Sequence, residues 1–183
     1  MNSTSLPDAE ALCAELLRQL KANMNPAAAL VGIATGGAWL AERLHRELGL
    51  TDPLGVLDIS FYRDDFDQKG LSHQVRPSRI GFDVQDRHIV LVDDVLYTGR
   101  TVRAAMNELF DYGRPAKIEL AVLVDRGGRQ LPIAAQYVGG ALTVPREAIL
   151  VLERSEPTGN FSLRLSDQRR ARRSTLLPGQ EQE

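Results

Sequence analysis

The sequence predicts an α/β domain built on a central, mainly parallel sheet flanked by helices. Three observations carry this. Short apolar runs of strand length alternate along the chain with amphipathic runs of helical spacing. The apolar runs are continuous rather than alternating, as in strands buried on both faces. No internal repeat breaks the pattern, and 183 residues fit one domain at roughly 100–200 residues per domain.

The elements follow in chain order. Residues 1–8 are polar and are expected to be a disordered N-terminus. Residues 9–21 place Leu12, Leu16 and Leu20 on one stripe, which predicts a helix. Residues 29–34 (ALVGIA) predict a buried strand that enters the turn Thr35-Gly36-Gly37. Residues 38–48 return to helical spacing through Leu40, Leu44 and Leu48, and Gly49 stops that helix. Residues 55–62 (GVLDISFY) predict another strand. Residues 63–87 carry many charges and little periodicity and predict a long loop with room for a hairpin; such loops are often lids. Residues 88–92 (HIVLV) form a strand that delivers Asp93 and Asp94. Residues 101–112 set Val102, Ala105, Met106, Leu109 and Phe110 on one helical face, and Gly113 and Pro115 end it. Residues 118–124 (IELAVLV) form a further buried strand before Asp125-Arg126-Gly127-Gly128, and short strands are expected at 136–138, 149–152 and 161–165. The domain is thus read as 9–165, with a polar, basic mobile tail over 166–183.

Composition narrows the function. One cysteine, Cys13, excludes an intrachain disulfide framework and a multi-cysteine metal site, and points to a reducing, cytoplasmic compartment. No apolar run reaches the roughly 18 residues of a membrane span. The first residues have no basic and apolar pattern, so no signal peptide is expected. A net charge of −2 gives no global case for nucleic-acid binding.

The chemistry concentrates in 88–101, HIVLVDDVLYTGRT. A buried strand brings two adjacent carboxylates, Asp93 and Asp94, to its end, and Thr98, Gly99, Arg100 and Thr101 open the next helix. A helix start offers free backbone N–H groups and the positive end of its dipole. Gly99 lets backbone approach an anion, the threonines add hydroxyls and Arg100 adds charge, so the segment reads as a phosphate cradle. The carboxylates would repel that phosphate; they suit sugar hydroxyls or a cation at the other end of the same ligand. A phosphorylated sugar meets both demands. The plain alternative is an ordinary strand–loop–helix junction with a capping threonine. No G-x-x-x-x-G-K-[ST] and no G-x-G occurs, which argues against a P-loop and a dinucleotide fold.

IVLVDDVLYTGRT resembles the phosphoribosyl pyrophosphate (PRPP) loop of the type I phosphoribosyltransferases. More narrowly, the chain resembles the pyrimidine operon regulators that carry uracil phosphoribosyltransferase activity. The stretches LVGIATGGAWLAERL at 30–44, DISFYRDDF at 58–66, TVRAAMNELFDYGRPAKIELAVLVDRG at 101–127 and LPIAAQYVG at 131–139 carry that likeness, which spans roughly 30–165. The resemblance implies the type I phosphoribosyltransferase fold, with a small hood and a flexible lid loop. It implies that Asp93 and Asp94 hold the ribose hydroxyls and are the catalytic pair, and that Thr98, Gly99, Arg100 and Thr101 hold the 5′-phosphate. Thr35, Gly36 and Gly37 would bind pyrophosphate. Tyr62, Arg63, Asp64 and Asp65 would belong to the lid, and Asp125, Arg126 and Ile133 to a base-binding hood. The implied reaction converts uracil and PRPP to UMP and pyrophosphate, with Mg²⁺ carried by PRPP. Implied partners are PRPP, uracil and UMP, with RNA as a further one, no membrane, and a homodimer or larger homo-oligomer. The alternatives are a UMP- or UTP-sensing RNA-binding attenuator with weak or no catalysis, a non-catalytic nucleotide binder, and transfer to guanine or hypoxanthine.

The chain departs from the family pattern in three places. Gly36 stands where arginine is expected, Gly128 where histidine is expected and Gly140 where lysine is expected, so three cationic or potentially cationic side chains are missing near the expected site. His45, His73 and His88 have no metal-ligand spacing. His45 is expected on a helix surface, and His88 is expected to begin a strand. Cys13 and Trp39 read as core, Trp39 with the alternative of bordering the site. Arg169, Arg170, Arg172 and Arg173 read as a solvated run, with an RNA phosphate contact as the alternative.

Overall fold

A computed structural model describes residues 6–59 and 77–167. Its elements are α1 (Ala9–Asn23), β1 (Ala29–Ile33), α2 (Gly36–Leu48), β2 (Gly55–Leu57), β3 (His88–Leu96), α3 (Arg100–Asp111), β4 (Lys117–Asp125), β5 (Tyr137–Ala141), β6 (Ala148–Arg154) and β7 (Phe161–Asp167). Five strands form one sheet in the order β2-β1-β3-β4-β5, every pair parallel. β6 and β7 form a separate antiparallel hairpin.

The two faces of the sheet are covered by different helices. Val90 and Val92 of β3 pack with Leu16 and Leu20 of α1 and Leu40 and Leu44 of α2. The alternate residues Ile89 and Leu91 pack with Val102, Ala105 and Leu109 of α3. This period of two is the pleat at work: adjacent side chains of one strand feed opposite layers. The hairpin adds Leu150, Leu152 and Phe161 to the first layer.

Local signals set the ends. Asp8 caps α1 by accepting from the Glu10 amide at 3.0 Å. Gly49 ends α2 in the left-handed region, at φ 67°. Leu6 packs against the core and Asp8 caps a helix, so residues 6–8 are not the disordered N-terminus expected. β7 runs through Ser166 to Asp167, two residues into the stretch read as tail, because those residues pair with Ile149 and Ala148. β2 is shorter than expected at Gly55–Leu57, and residues 60–62 lie outside the described residues. His45 is partly buried rather than on the surface, its ring nitrogen 2.6 Å from the Asp52 carbonyl.

Strand order places the site. The chain leaves β1 into α2 toward β2, and leaves β3 into α3 toward β4. The two connections diverge between the adjacent carboxyl ends of β1 and β3. That divergence is the crevice where open α/β sheets bind ligands.

Candidate active site

The loop after β1 forms one wall of the crevice. The Ala34–Thr35 peptide is cis, and α2 starts at once with Gly36. α2 begins two residues earlier than the apolar spacing suggests. Gly37 is pressed onto the end of β3, where a Cβ would lie 2.5 Å from the Val92 carbonyl and 2.8 Å from the Asp93 Cα. Real Cβ atoms do not come this close, so only glycine permits the packing.

The β3–α3 connection forms the other wall. The acidic pair lies inside β3, not beyond its end, because the parallel ladder with β4 continues through Asp93↔Val122, Val95↔Val124 and Leu96↔Asp125. Asp93 is buried and its Oδ1 accepts the Asp94 amide at 3.0 Å. Asp94 is half-buried and reaches across the crevice: a Cβ on Gly36 would fall 2.3 Å from its Oδ2. The missing arginine at 36 is therefore more than a lost charge. It vacates the space that the Asp94 carboxylate occupies.

Gly99 begins α3 at φ 90°, a conformation that strongly favours glycine. The Thr98 Oγ1 accepts the Arg100 amide at 3.3 Å, and Arg100 Nε donates to Gln130 Oε1 at 3.0 Å. The Thr98 carbonyl accepts the amides of Gln130 and Leu131, and a Cβ on Gly99 would meet Ile133 at 3.3 Å. The Gly99 turn is thus backed by residues 130–133. Thr98, Gly99, Arg100 and Thr101 lie together at the helix start, with Ile133 packed against the Gly99 turn.

The arginine that organises this loop was not singled out by sequence. Arg129 donates from Nη1 to the Tyr97 carbonyl at 2.7 Å, from Nε to the Ile133 carbonyl at 3.0 Å, and pairs with Asp125. Asp125 also accepts the Gly127 amide at 2.9 Å. One planar guanidinium joins the ends of β3 and β4 to the following loop. Only the i, i+4 spacing of Asp125 and Arg129 hinted at it. Arg126 is buried and donates to the Ala148 and Pro145 carbonyls at 3.0 and 3.1 Å. Desolvation pushes its pKa below the usual arginine value. Its Cζ lies 4.1 Å from the Tyr97 ring centroid. Gly128 has φ 73°, and a Cβ there would lie 2.4 Å from Tyr97 Cε2, so this glycine too is required by its surroundings. A side chain at Gly140 would meet Leu12 of α1 at 2.6 Å, which is not toward the crevice loops.

Trp39 is partly buried beside the core, with Arg154 5.2 Å over its ring. It borders a cavity of about 570 Å³ between α2 and the hairpin. Tyr62, Arg63, Asp64, Asp65, His73 and the arginine run from Arg169 lie outside the described residues. No group of three or more His, Cys, Asp or Glu arranged to hold a metal occurs among the described residues. No described helix is long and apolar enough to cross a membrane.

The chain, with its five-stranded parallel sheet and an acid pair and glycine turn at the switch point, matches the phosphoribosyl transferase domain model over residues 3–150. The chain belongs to that family, as a type I phosphoribosyltransferase. Among curated proteins it is similar to the bifunctional protein PyrR of Nitrosococcus oceani, at 55% identity over 76% of this chain and 79% of that one. The bifunctional protein PyrR of Pseudomonas putida is 47% identical over 89% of this chain and 96% of its own length. Among solved structures, a hypoxanthine phosphoribosyltransferase of Staphylococcus aureus aligns at a TM-score of 0.59 and 22% identity over 79% of each chain. A hypoxanthine-guanine phosphoribosyltransferase of Bacillus anthracis aligns at a TM-score of 0.60 and 16% identity, covering 77% of this chain and 85% of that one. These two likenesses support the fold alone.

Proposed function

We propose that this chain transfers ribose 5-phosphate from PRPP to N1 of uracil, giving UMP and pyrophosphate. The carrying observation is the crevice between β1 and β3, where the Asp94 carboxylate meets Gly36 and the same β3–α3 connection goes on to the Gly99 turn. One ligand with a phosphate, a ribose and a pyrophosphate has a group for each wall. The start of α3 with Thr98, Gly99, Arg100 and Thr101 holds the 5′-phosphate. Asp93 and Asp94 accept hydrogen bonds from the ribose hydroxyls. Thr35, Gly36 and Gly37 receive the departing pyrophosphate at the start of α2. The C1–O bond to pyrophosphate breaks as the bond to the base nitrogen forms, through an oxocarbenium-like transition state, and the N1 proton leaves with the departing pyrophosphate. Asp125 and Ile133, with Arg126 behind them, form the hood side of the base site, and the lid from Tyr62 to Asp65 excludes water.

Mg²⁺ fits the donor set. Asp94 offers a half-buried carboxylate at the crevice with the buried Asp93 next to it, and this ion is commonly held by one or two carboxylates plus substrate phosphates. When bound, it neutralises charge on the leaving pyrophosphate. The compartment that suits a chain with one buried thiol is the cytoplasm.

A second role as a pyrimidine operon regulator has support in the word "bifunctional" carried by the curated relatives. It would bind a pyrimidine-operon leader RNA with steep salt dependence. The test of the enzyme is a radiolabelled uracil assay with PRPP and Mg²⁺, with hypoxanthine and guanine in parallel. UMP formation with uracil alone is the expected result. No turnover with any base, in folded protein, would sink the enzymatic reading and leave the regulator.

A further inference from the structure

The carbonyls of Leu96, Tyr97 and Thr98 lead from β3 into the Gly99 turn, and one segment some thirty residues further along the chain holds all three. The Leu96 carbonyl accepts the Arg126 amide at 3.1 Å and Arg129 Nη1 at 3.3 Å. The Tyr97 carbonyl accepts the same Nη1 at 2.7 Å. The Thr98 carbonyl accepts the amides of Gln130 and Leu131 at 3.0 and 3.2 Å. These peptides are trans, since the only cis bond among the described residues is Ala34–Thr35. A trans peptide is planar, so holding its carbonyl also fixes the amide on its opposite edge. The amides of Tyr97, Thr98 and Gly99 are thereby set facing away from residues 126–131. The same segment steadies the charge of the turn, because Gln130 Oε1 accepts Arg100 Nε at 3.0 Å. Arg129 keeps the segment in register. Its Nε donates to the Ile133 carbonyl at 3.0 Å, and its Nη2 pairs with Asp125 at the end of β4. Bonds in three directions use the rigid fork of five N–H donors that only arginine has; a lysine ammonium is a point charge on a flexible stem.

We propose that Arg129 is a positioning residue for the turn that takes the 5′-phosphate of the ligand. It straps the β3–α3 junction to the loop after β4, so the backbone amides of the turn are aligned before the ligand arrives. Affinity for the phosphate is then set by a guanidinium that does not touch it, because an aligned turn loses less freedom on binding. The inference rests on the reading of the chain as a phosphoribosyltransferase, and deepens it.

The test compares full-length wild type with Arg129→Met and Arg129→Lys, after circular dichroism shows that each is folded. Affinities for PRPP and for pyrophosphate, both with Mg²⁺, are measured by calorimetry. Pyrophosphate occupies only the wall at Thr35–Gly37, so it reports on the crevice apart from the Gly99 turn. Both variants should bind PRPP about tenfold or more weakly, the order of one hydrogen bond to a charged group, and should keep pyrophosphate affinity within about twofold. Arg129→Lys should not rescue PRPP binding, which separates the planar fork from a plain positive charge. Unchanged PRPP affinity in either folded variant would overturn the proposal. An equal loss of PRPP and pyrophosphate affinity would also overturn it, since that is the mark of general loosening. Should Arg129→Met alone fail to fold, Arg129→Lys decides by the same criteria; failure of both would make Arg129 a strut of the fold and overturn the proposal. A wild type that binds neither ligand overturns the phosphoribosyltransferase reading and this inference together, and that result is seen before any variant is compared.

Discussion

Two carboxylates and two glycines dominate the chemistry at the residue scale. Gly36 and Asp94 share one space, so a methyl group at 36 must drive the carboxylate away. Because the atom to be moved is the end of a side chain, Gly36→Ala should keep its fold. It should weaken PRPP binding by about tenfold, the order expected for one hydrogen bond to a charged group; calorimetric titration with PRPP checks this. Asp94→Asn should lose most PRPP-dependent turnover, about tenfold to a hundredfold, with the circular dichroism spectrum unchanged. Turnover like that of wild type would remove Asp94 from the site. The sequence singled out Asp93, Asp94, Gly99 and the threonines as candidates because strand, acid pair and glycine turn are contiguous. It did not identify Arg129, whose partners include carbonyls at Tyr97, 32 residues away along the chain.

Helix seating and one buried carboxylate matter most at the element scale. A Cβ at Gly32 of β1 would lie 2.7 Å from the Ala38 Cα and 2.8 Å from the Ala41 Cβ. Gly32→Ala must push α2 off the sheet and should cost about 1–3 kcal/mol, seen as a lower denaturation midpoint. At the opposite end of the sheet from the crevice, Glu119 of β4 accepts from His88 Nε2 at 2.8 Å, Lys117 Nζ at 2.7 Å and the Tyr137 hydroxyl at 3.2 Å. Burial acts to raise its pKa, but the hydrogen bonds from Lys117, His88 and Tyr137 prevail and hold it below the usual carboxylate value. A depressed folded-state pKa means that the unfolded chain binds the proton first. The stabilisation is therefore present above about pH 4.3 and drains away as pH falls through the folded-state value. Glu119→Gln should flatten that acid limb in melting temperatures measured from pH 3 to 7. An unchanged slope would show that Glu119 does not carry it. The expectation that His88 begins a strand holds, and its pairing with Glu119 links β3 to β4.

At the scale of the whole molecule, one residue reports on global opening. Cys13 is buried in α1 against the sheet, and burial pushes its thiol up to about 11. At pH 8 the native protein should react with a thiol reagent far more slowly than the unfolded chain, whose cysteine has a pKa of about 8.5. The reaction rate followed through urea should rise together with the loss of helical signal. Fast labelling without urea would mean that α1 opens locally.

The sequence by itself determined the fold class and the order of elements, and it offered the acid pair and the glycine turn as a candidate site. These are written in local periodicity and in contiguous residues, which one strand–loop–helix junction brings together. Strand ends were less legible, since β3 runs through Asp93 and Asp94 only because β4 lies beside it. Only the tertiary structure decided what the glycines mean. Gly36 faces Asp94, Gly128 faces Tyr97 and Gly140 faces Leu12, three surroundings that the sequence treats alike as missing cations. The physical reason is that a side chain's role depends on what fills the space beside it, and that space is set by residues far away in the chain.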